Sequence, residues 1–432
     1  LVPILPTLAL TRHAIAGFAA SIDVASGAEG VAILFGDQGE QSPWWSPSRF
    51  WLKPKFDFRM LLSQDYVTDA CAIHVERALS AWPADCQHPF ASLYELALSL
   101  CERFEAIHLN RVVVETPPHH WQKVDQDHLT AVERFLGDRA EVERAPFGSV
   151  HVRWAVPRPH PSVSVIVATR DRLELLRTCV EGVLSATDYP ALDLIIADNE
   201  SVEPETLAYL EEVSEDPRVE VVRWPHPFNY SAINNFAAAR AKGEFLCLLN
   251  NDIEIIEPNW LTEMVREACQ QDVGAVGARL LYPDHSVQHA GVAIGIGNAA
   301  GHAHRGLAEG EPGYYAQALV ARGASAVTGA CLLIAKEHFN RVGGLDQQEL
   351  AVAYNDVDLC LKLTELGLQN IYTPNATLIH HESKSRGFDF APEHLERYLG
   401  ELKVFQDRWS TTQVVDPWHH QHLTRSNEDY AK

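Results

Sequence analysis

The sequence predicts an α/β protein whose second half is a mostly parallel, doubly wound sheet with flanking helices, preceded by a smaller α/β module. Three observations carry this. Short β-branched runs alternate with amphipathic stretches from residue 162 onward. A proline-rich joint, Val156-Pro-Arg-Pro-His-Pro161, interrupts regular structure ahead of them. Hydrophobic residues make up 46% of the chain and charged residues 22%, enough apolar surface for a large core.

The elements follow in order. Ser162 to Ala168 (SVSVIVA) reads as a strand. Arg172 to Leu184 places Leu173, Leu176, Val180, Val183 and Leu184 on one helical stripe. Leu194 to Ala197 is a second strand, Glu205 to Val213 a helix, and Val219 to Val222 a third strand. Ser231 to Ala241 is an Ala-rich helix with Gly243 as its expected C-cap, and Phe245 to Leu249 is a fourth strand. Asp356-Val-Asp358 opens a later helix that Gly367 ends, and Ala376 to Ile379 is a short strand running into two histidines. The division expected is a module over 1–155, a linker over 156–161, a main domain over 162–387 and a C-terminal helical extension over 388–432.

Charge and cysteine usage exclude some classes. The formal net charge of -23 argues against nonspecific binding to nucleic acid or to an anionic membrane surface. The eight cysteines form no CxxC pair, which speaks against a zinc knuckle and for a reducing, cytosolic setting. No apolar run approaches the ~18 residues that span a membrane. Leu1 to Leu10 is apolar but has no basic stretch before it, so it does not read as a signal peptide. A chain starting on Leu is consistent with a piece of a longer protein.

Ligands of doubly wound sheets bind beyond the carboxyl ends of the strands. Here those ends are Thr169-Arg170-Asp171, Asp198-Asn199 and Asn250-Asn251-Asp252, all polar or acidic, and they are expected to line one cleft. With ATRDR, ADNES, FNYSAINNFAAARAKGEF, LLNNDIE, TGACLLI, VGGLD, YNDVDLCLKL and HHESKSRG in this order, residues 160–418 resemble glycosyltransferase family 2, most closely the bacterial enzymes that build O-antigen and other surface polysaccharides.

The resemblance implies a GT-A fold and inverting transfer of a hexosyl or deoxyhexosyl unit, such as rhamnosyl. The donor would be a UDP-, GDP- or dTDP-sugar and the acceptor a glycan or lipid-linked glycan. It implies a divalent cation, Mn²⁺ or Mg²⁺, because charge builds on a diphosphate leaving group. The family's DXD motif reads Asn250-Asn251-Asp252, so Asp252 is the first metal ligand. His380 and His381 are both candidates for the second; the resemblance favours His380, and adjacent residues point apart, so one of them fits easily. Asp356 is the expected base, while Asp358 caps the helix and borders the acceptor. Thr169, Arg170, Asp171, Asp198, Asn199, Asn235, Asn250 and Asn251 are assigned to the donor. Lys384, Ser385 and Arg386 are expected to close over phosphate, and Gly329 and Ala330 to leave room for acceptor or sugar. The setting implied is cytoplasmic, or peripheral at the inner face of the plasma membrane, with other polysaccharide-assembly enzymes as partners.

Two other motifs read as bland. Gly295-Ile-Gly297-Asn-Ala-Ala-Gly301 does not join a first strand to a first helix, so it is not a dinucleotide loop. His285, His289, His302 and His304 lack a fixed ligand spacing and are read as a solvated loop. The first 155 residues carry faint echoes of the second half. Ser92 to Leu98 echoes Asn355 to Leu361, with Leu93 where Asp356 stands. His119-His120 echoes His380-His381, and Asp37-Gln38-Gly39 is a poor echo of the metal motif. This half is read as a truncated, inactive copy. A reading from another class is a noncatalytic nucleotide-sugar- or glycan-binding scaffold of an assembly complex. The weakened metal motif motivates it.

Overall fold

The computed structural model describes residues 1–3, 8–25, 30–41, 49–82, 90–118, 120–122, 126–382, 392–428 and 430. In the first half, strand β1 (Val31–Glu40) pairs in parallel with β2 (Glu105–Thr116). Ala9–Leu10, Phe50–Trp51 and Cys71–Ile73 complete a five-stranded sheet. Helix α1 (Leu93–Cys101) precedes β2 and is N-capped by Ser92, whose hydroxyl accepts from the Glu95 amide at 3.1 Å.

The second half holds strands β3 (Val163–Thr169), β4 (Leu192–Asp198), β5 (Val219–Arg223), β6 (Phe245–Asn250), β7 (Ile253–Ile255), β8 (Val273–Leu281), β9 (Val287–His289), β10 (Cys331–Ala335) and β11 (Gln369–His380). They form one sheet in the order β5-β4-β3-β6-β10-β8-β11-β7, with β9 on β8 and Arg322–Ala324 on β11. The first four strands are parallel, as their alternation with helices requires. Beyond β6 the sheet is mixed: β10 runs antiparallel to both β6 and β8, while β8 and β11 are parallel.

The apolar runs are continuous because these strands are covered on both faces. Val163, Val165 and Val167 face one core layer and Ile166 the other. Cys247 and Leu249 alternate with Leu246 and Leu248 in the same way. Helices α2 (Leu173–Glu181), α3 (Pro204–Val213) and α5 (Trp260–Ala268) cover the first layer. Helices α4 (Tyr230–Ala238) and α6 (Asn355–Glu365) cover the second, joined by Phe405 of α7 (Pro392–Trp409). The expected stripe is buried: Leu176 and Val180 on α2, and Val183 just past its end, are at most 1% exposed.

Gly243 is not a helix cap. Helix α4 ends on Ala239 in the right-handed region, five residues after Asn234. A Cβ on Gly243 would stand 2.5 Å from the Ser164 amide nitrogen, so the glycine is there to let the chain pass against the start of β3.

The halves share packing. Ala316 and Val320, from the second half, are buried in the core of the first. Tyr315 stacks on Trp51 with centroids 4.9 Å apart. Asp57 accepts from the Gly323 amide at 2.6 Å and from Gln369 Nε2 at 3.2 Å. The two halves also repeat one arrangement. In each, three residues separate the end of a helix from a twelve-residue strand that pairs in parallel with an earlier strand, α1–β2 on β1 and α6–β11 on β8.

Candidate active site

The end of β3 turns sharply, with Asp171 and Arg172 both at positive φ (53° and 59°). That strain is held by the neighbouring loop: the Asp171 amide donates to Ser201 Oγ at 2.8 Å. Its carboxylate accepts from the amides of Val202 and Glu203 at 2.7 and 2.9 Å. Asp198 Oδ1 accepts from the Ser201 amide at 2.9 Å, and Asn199 Nδ2 donates to the carbonyls of Trp224 and His226. Buried Thr169 Oγ1 accepts from Asn251 Nδ2 at 3.1 Å. Arg170 is exposed. Thus the ends of β3, β4 and β6 are tied to one another, as the strand order requires.

Past β6, two further elements close on this edge. β7 pairs antiparallel with β11, setting Ile253 opposite His380. This places His380 Nε2 3.1 Å from Asp252 Oδ1, with both residues buried. Two contacts fix the ring. Nδ1–H donates to Gln288 Oε1 at 2.7 Å, and Nε2 faces Asn250 Nδ2 at 3.4 Å. A neutral His380 therefore turns its Nε2 lone pair toward a carboxylate oxygen. Two lone pairs that close call for a positive charge between them, either a second proton or a cation. An imidazolium there would hold the Asp252 carboxyl below the usual carboxylate range although burial alone would raise it.

His381 points away, as strand geometry demands. Its Nε2 lies 2.9 Å from Glu254 Oε2, so the expectation that it joins the metal ligands is corrected.

Asp356 stands in the first turn of α6, after Tyr354 at φ 61°. Its Oδ2 accepts from the Gly329 amide at 2.7 Å and its Oδ1 from the Val357 amide at 2.8 Å. Burial raises its pKa above the ordinary carboxylate value, and these two amides only partly offset that. Tyr230, at the start of α4, links it to the other cluster. The Tyr230 hydroxyl donates to the Gly329 carbonyl at 2.9 Å and lies 3.3 Å from Asn250 Oδ1. A continuous path of contacts thus runs Asp356, Gly329, Tyr230, Asn250, His380, Asp252. Tyr230 was visible only as one residue of the FNYSAI stretch. Ala330 is buried beside Gly329, and its carbonyl accepts from the Asn250 amide at 3.0 Å.

Two assigned residues do not join this group. Asp358 is fully buried on another face of α6. Its Oδ1 accepts from Arg408 Nη1 at 2.8 Å and Trp409 Nε1 at 2.9 Å, and its Oδ2 lies 2.6 Å from Lys362 Nζ. It anchors α7, and the expectation that it borders the acceptor is corrected. Asn235 spends both ends of its amide on Leu345, donating to the carbonyl at 2.8 Å and accepting from the amide at 3.0 Å. Its second N–H donates to Gln347 Oε1 at 3.2 Å, so it pins the VGGLD loop with both amide protons in use. Lys384, Ser385 and Arg386 lie outside the described residues, as does His119.

The histidine loop is less solvated than its polarity suggests. Only His285 is exposed; His289 and His304 are buried, and His289 Nδ1 lies 3.0 Å from His302 Nδ1. Burial lowers the pKa of His289 and His304 and brings His302 down to about 4, so all three are neutral near pH 7. Residues 295–299 form a tight turn with one 3-10 turn (Ile296–Asn298) between Val292–Ile294 and Ala300–His302, and no α-helix follows it to meet a pyrophosphate.

A second cluster brings Asp37, His108 and His420 together, with ligand atoms within 4.8 Å of one another. His108 Nε2 is 2.8 Å from Asp37 Oδ1 and His420 Nε2 is 3.3 Å from Oδ2. The His422 amide donates to His420 Nδ1 at 3.1 Å, so a neutral His420 carries its proton on Nε2, aimed at Asp37. With Lys53 also buried nearby, this reads as a carboxylate held by its donors, tying the C-terminal tail to the first half.

Comparison with known proteins bears on the second half of the chain. The family model "Glycosyl transferase family 2" matches residues 164–338. An uncharacterized protein, y4gI, of Sinorhizobium fredii is 46% identical over 272 residues, 63% of this chain and 30% of its own length. The O-antigen biosynthesis protein RfbC of Myxococcus xanthus is 41% identical over 283 residues, 65% of this chain and 21% of its own. The chain therefore spans less than a third of either relative. Among solved structures, a mannosyltransferase from Pyrobaculum calidifontis in complex with GDP-Man and Mn²⁺ is similar at 17% identity and a TM-score of 0.44, over 61% of this chain and 67% of that one. Residues 164–338 thus match the glycosyl transferase family 2 model, on an α/β scaffold.

Proposed function

We propose that this chain transfers a sugar from a nucleotide-diphosphate donor to a glycan or lipid-linked glycan, with inversion, in bacterial surface-polysaccharide synthesis. The observation that carries this reading is the path from Asp356 through Tyr230 to the His380–Asp252 pair. It joins a group suited to take a proton with a group suited to hold a cation. Asp356 accepts the proton of the acceptor hydroxyl, whose oxygen forms the new bond to the anomeric carbon. The bond from that carbon to the phosphate oxygen breaks, and the nucleoside diphosphate leaves with the electron pair. Its raised pKa makes Asp356 a stronger base than an ordinary carboxylate. Asp252 suits Mn²⁺ or Mg²⁺, and His380 Nε2 beside it suits Mn²⁺ better than Mg²⁺, with Asn250 alongside. When bound, that cation neutralises charge on the departing diphosphate. Thr169, Arg170, Asp171, Asp198, Asn199 and Asn251 shape the donor end of the cleft.

In this reading, residues 1–155 are a truncated, inactive relative of the main domain. The repeated helix–strand arrangement supports it, and Leu93, the first residue of α1, cannot accept a proton. Among the described residues no helix is long and apolar enough to cross a membrane, and a charged donor suits the cytoplasmic side.

The test is a calorimetric screen of UDP-, GDP- and dTDP-sugars with Mg²⁺ and Mn²⁺, on the parent and Asp252→Ala. The parent should bind one donor class in a metal-dependent way, and the variant should lose that dependence. Equal Mn²⁺ sensitivity in the two would refute the site. The scaffold reading draws on Asn250 standing in place of an acid; donor binding with no turnover across a broad acceptor panel would favour it.

A further inference from the structure

We infer that Gln288 is a positioning residue of this site: it selects the tautomer of His380 that offers Nε2 to a divalent cation. The inference rests on the metal reading above and goes past it to a residue on another strand. Gln288 is the middle residue of β9 and is 5% exposed. Its Oε1 lies 2.7 Å from His380 Nδ1, and its Nε2 donates to Glu382 Oε2 at 3.1 Å. An amide can turn end for end, so something must decide which end meets the imidazole. Glu382 decides it. A carboxylate accepts hydrogen bonds and cannot donate them, so it draws Nε2 and leaves Oε1 for the histidine. Arg305, 3.6 Å from the same carboxylate oxygen, holds Glu382 in place. Oε1 can only accept, so His380 must carry a proton on Nδ1. A neutral ring then has its lone pair on Nε2, on the side of Asp252 and Asn250. The order of control is Glu382, then Gln288, then His380. A hydrogen-bonded partner of this kind also holds the ring plane, and losing one costs about 10- to 100-fold in metal affinity.

The experiment measures Mn²⁺ affinity of the full chain by electron paramagnetic resonance, without donor or acceptor. Gln288→Leu keeps the shape and removes the acceptor; it should bind Mn²⁺ about 10- to 100-fold more weakly. The reciprocal pair Gln288→Glu with Glu382→Gln restores an acceptor for Nδ1–H and a donor to hold it; its affinity should return to within about threefold of the parent, since the ring keeps its orienting partner. That recovery separates positioning from mere packing, because a fold defect would not be mended by exchanging two polar groups. If Asp252→Ala loses Mn²⁺ while Gln288→Leu binds as the parent does, the role of Gln288 is overturned and the site stands. If Asp252→Ala binds Mn²⁺ as well as the parent, the metal reading falls and this inference falls with it.

Discussion

Replacing Asp356 by Asn removes one proton-accepting group and little else, and the structure lets its two effects be separated. Asp356 accepts one backbone amide on each carboxylate oxygen. Asn keeps one acceptor and turns an NH₂ toward the other amide, losing a hydrogen bond worth about 1 kcal/mol. Against this, the raised pKa of Asp356 means that the fold disfavours its ionised form. A neutral side chain relieves that cost at neutral pH, so the two terms oppose and the melting temperature should move by only a few degrees. Turnover should not be spared. A positioned general base contributes on the order of 100-fold or more, so transfer should fall by at least that factor, about 2.7 kcal/mol in the barrier. Donor affinity should stay within about threefold, because the donor residues sit at other strand ends. The acid limb of the parent's kcat/KM profile should lie above the ordinary carboxylate range and vanish from the residual rate of the variant. Steady-state kinetics over pH, on whichever nucleotide sugar the chain turns over, would test this. Asp356→Asn retaining more than about a tenth of parental kcat, with normal melting, would refute the assignment, since a lost general base costs far more.

Asp358→Asn should behave in the opposite way. It weakens the bonds to Arg408 and Lys362, but Arg408 keeps Asp346 and Glu349 and both cations are partly exposed, so the cost is about 1.5 kcal/mol, the scale of one hydrogen bond to a charged group. Thermal melting should show that loss, with catalysis largely intact at low temperature; a dead but stable variant would mean that Asp358 touches the reaction. Asp37 gives a pH signature. Burial raises its pKa, but hydrogen bonds from His108 and His420 outweigh burial and bring it down to about 2, from 3.8. A lowered pKa stabilises the fold above the unfolded value, and that stability is lost as pH falls toward 2. Asp37→Asn should therefore cost about 2 kcal/mol above pH 4, a gap that closes near pH 2 in denaturant titrations; a gap independent of pH would contradict it.

What was legible in the sequence is what local pattern encodes. Strand β3 shows as SVSVIVA because both its faces are covered, and α2 shows as a stripe because one of its faces is. The cluster at Asp252 and His380 was legible because strand-end chemistry marks each residue separately, while β7 and β11 bring them together. Long-range polar pairing was not legible. Nothing near Asp358 in sequence announces Arg408, fifty residues on, and nothing near Gln288 announces His380 or Glu382. Asn235 looked like a ligand because its residue type suits one; only the fold shows the Leu345 backbone already there. The buried histidines were misread for the same reason. Solvation belongs to the packing around a loop, and a polar loop of the second half folds beneath its own C-terminal tail, where His304 stacks on Tyr430 at 4.2 Å.

Asp57 and the segment around Tyr315 give the first half a mechanical part. Strand β11 runs from Gln369 to His380, and Asp57 grips Gln369 at its far end. The strand beside it there, Arg322–Ala324, is gripped by the same carboxylate through Gly323. Along β8 the strand runs from Gln369 opposite Val273 to Ile379 opposite Leu281, bulging between Thr373 and Thr377, so it spans roughly 30 Å and His380 sits at the tip of a rod clamped at its base. A clamp at the base resists sliding of the rod along its length more than bending at the tip. Sliding is the motion that would carry His380 past Asp252, since β7 faces it in a fixed register. The first half can thus set the height at which the chemistry proposed for the second half occurs.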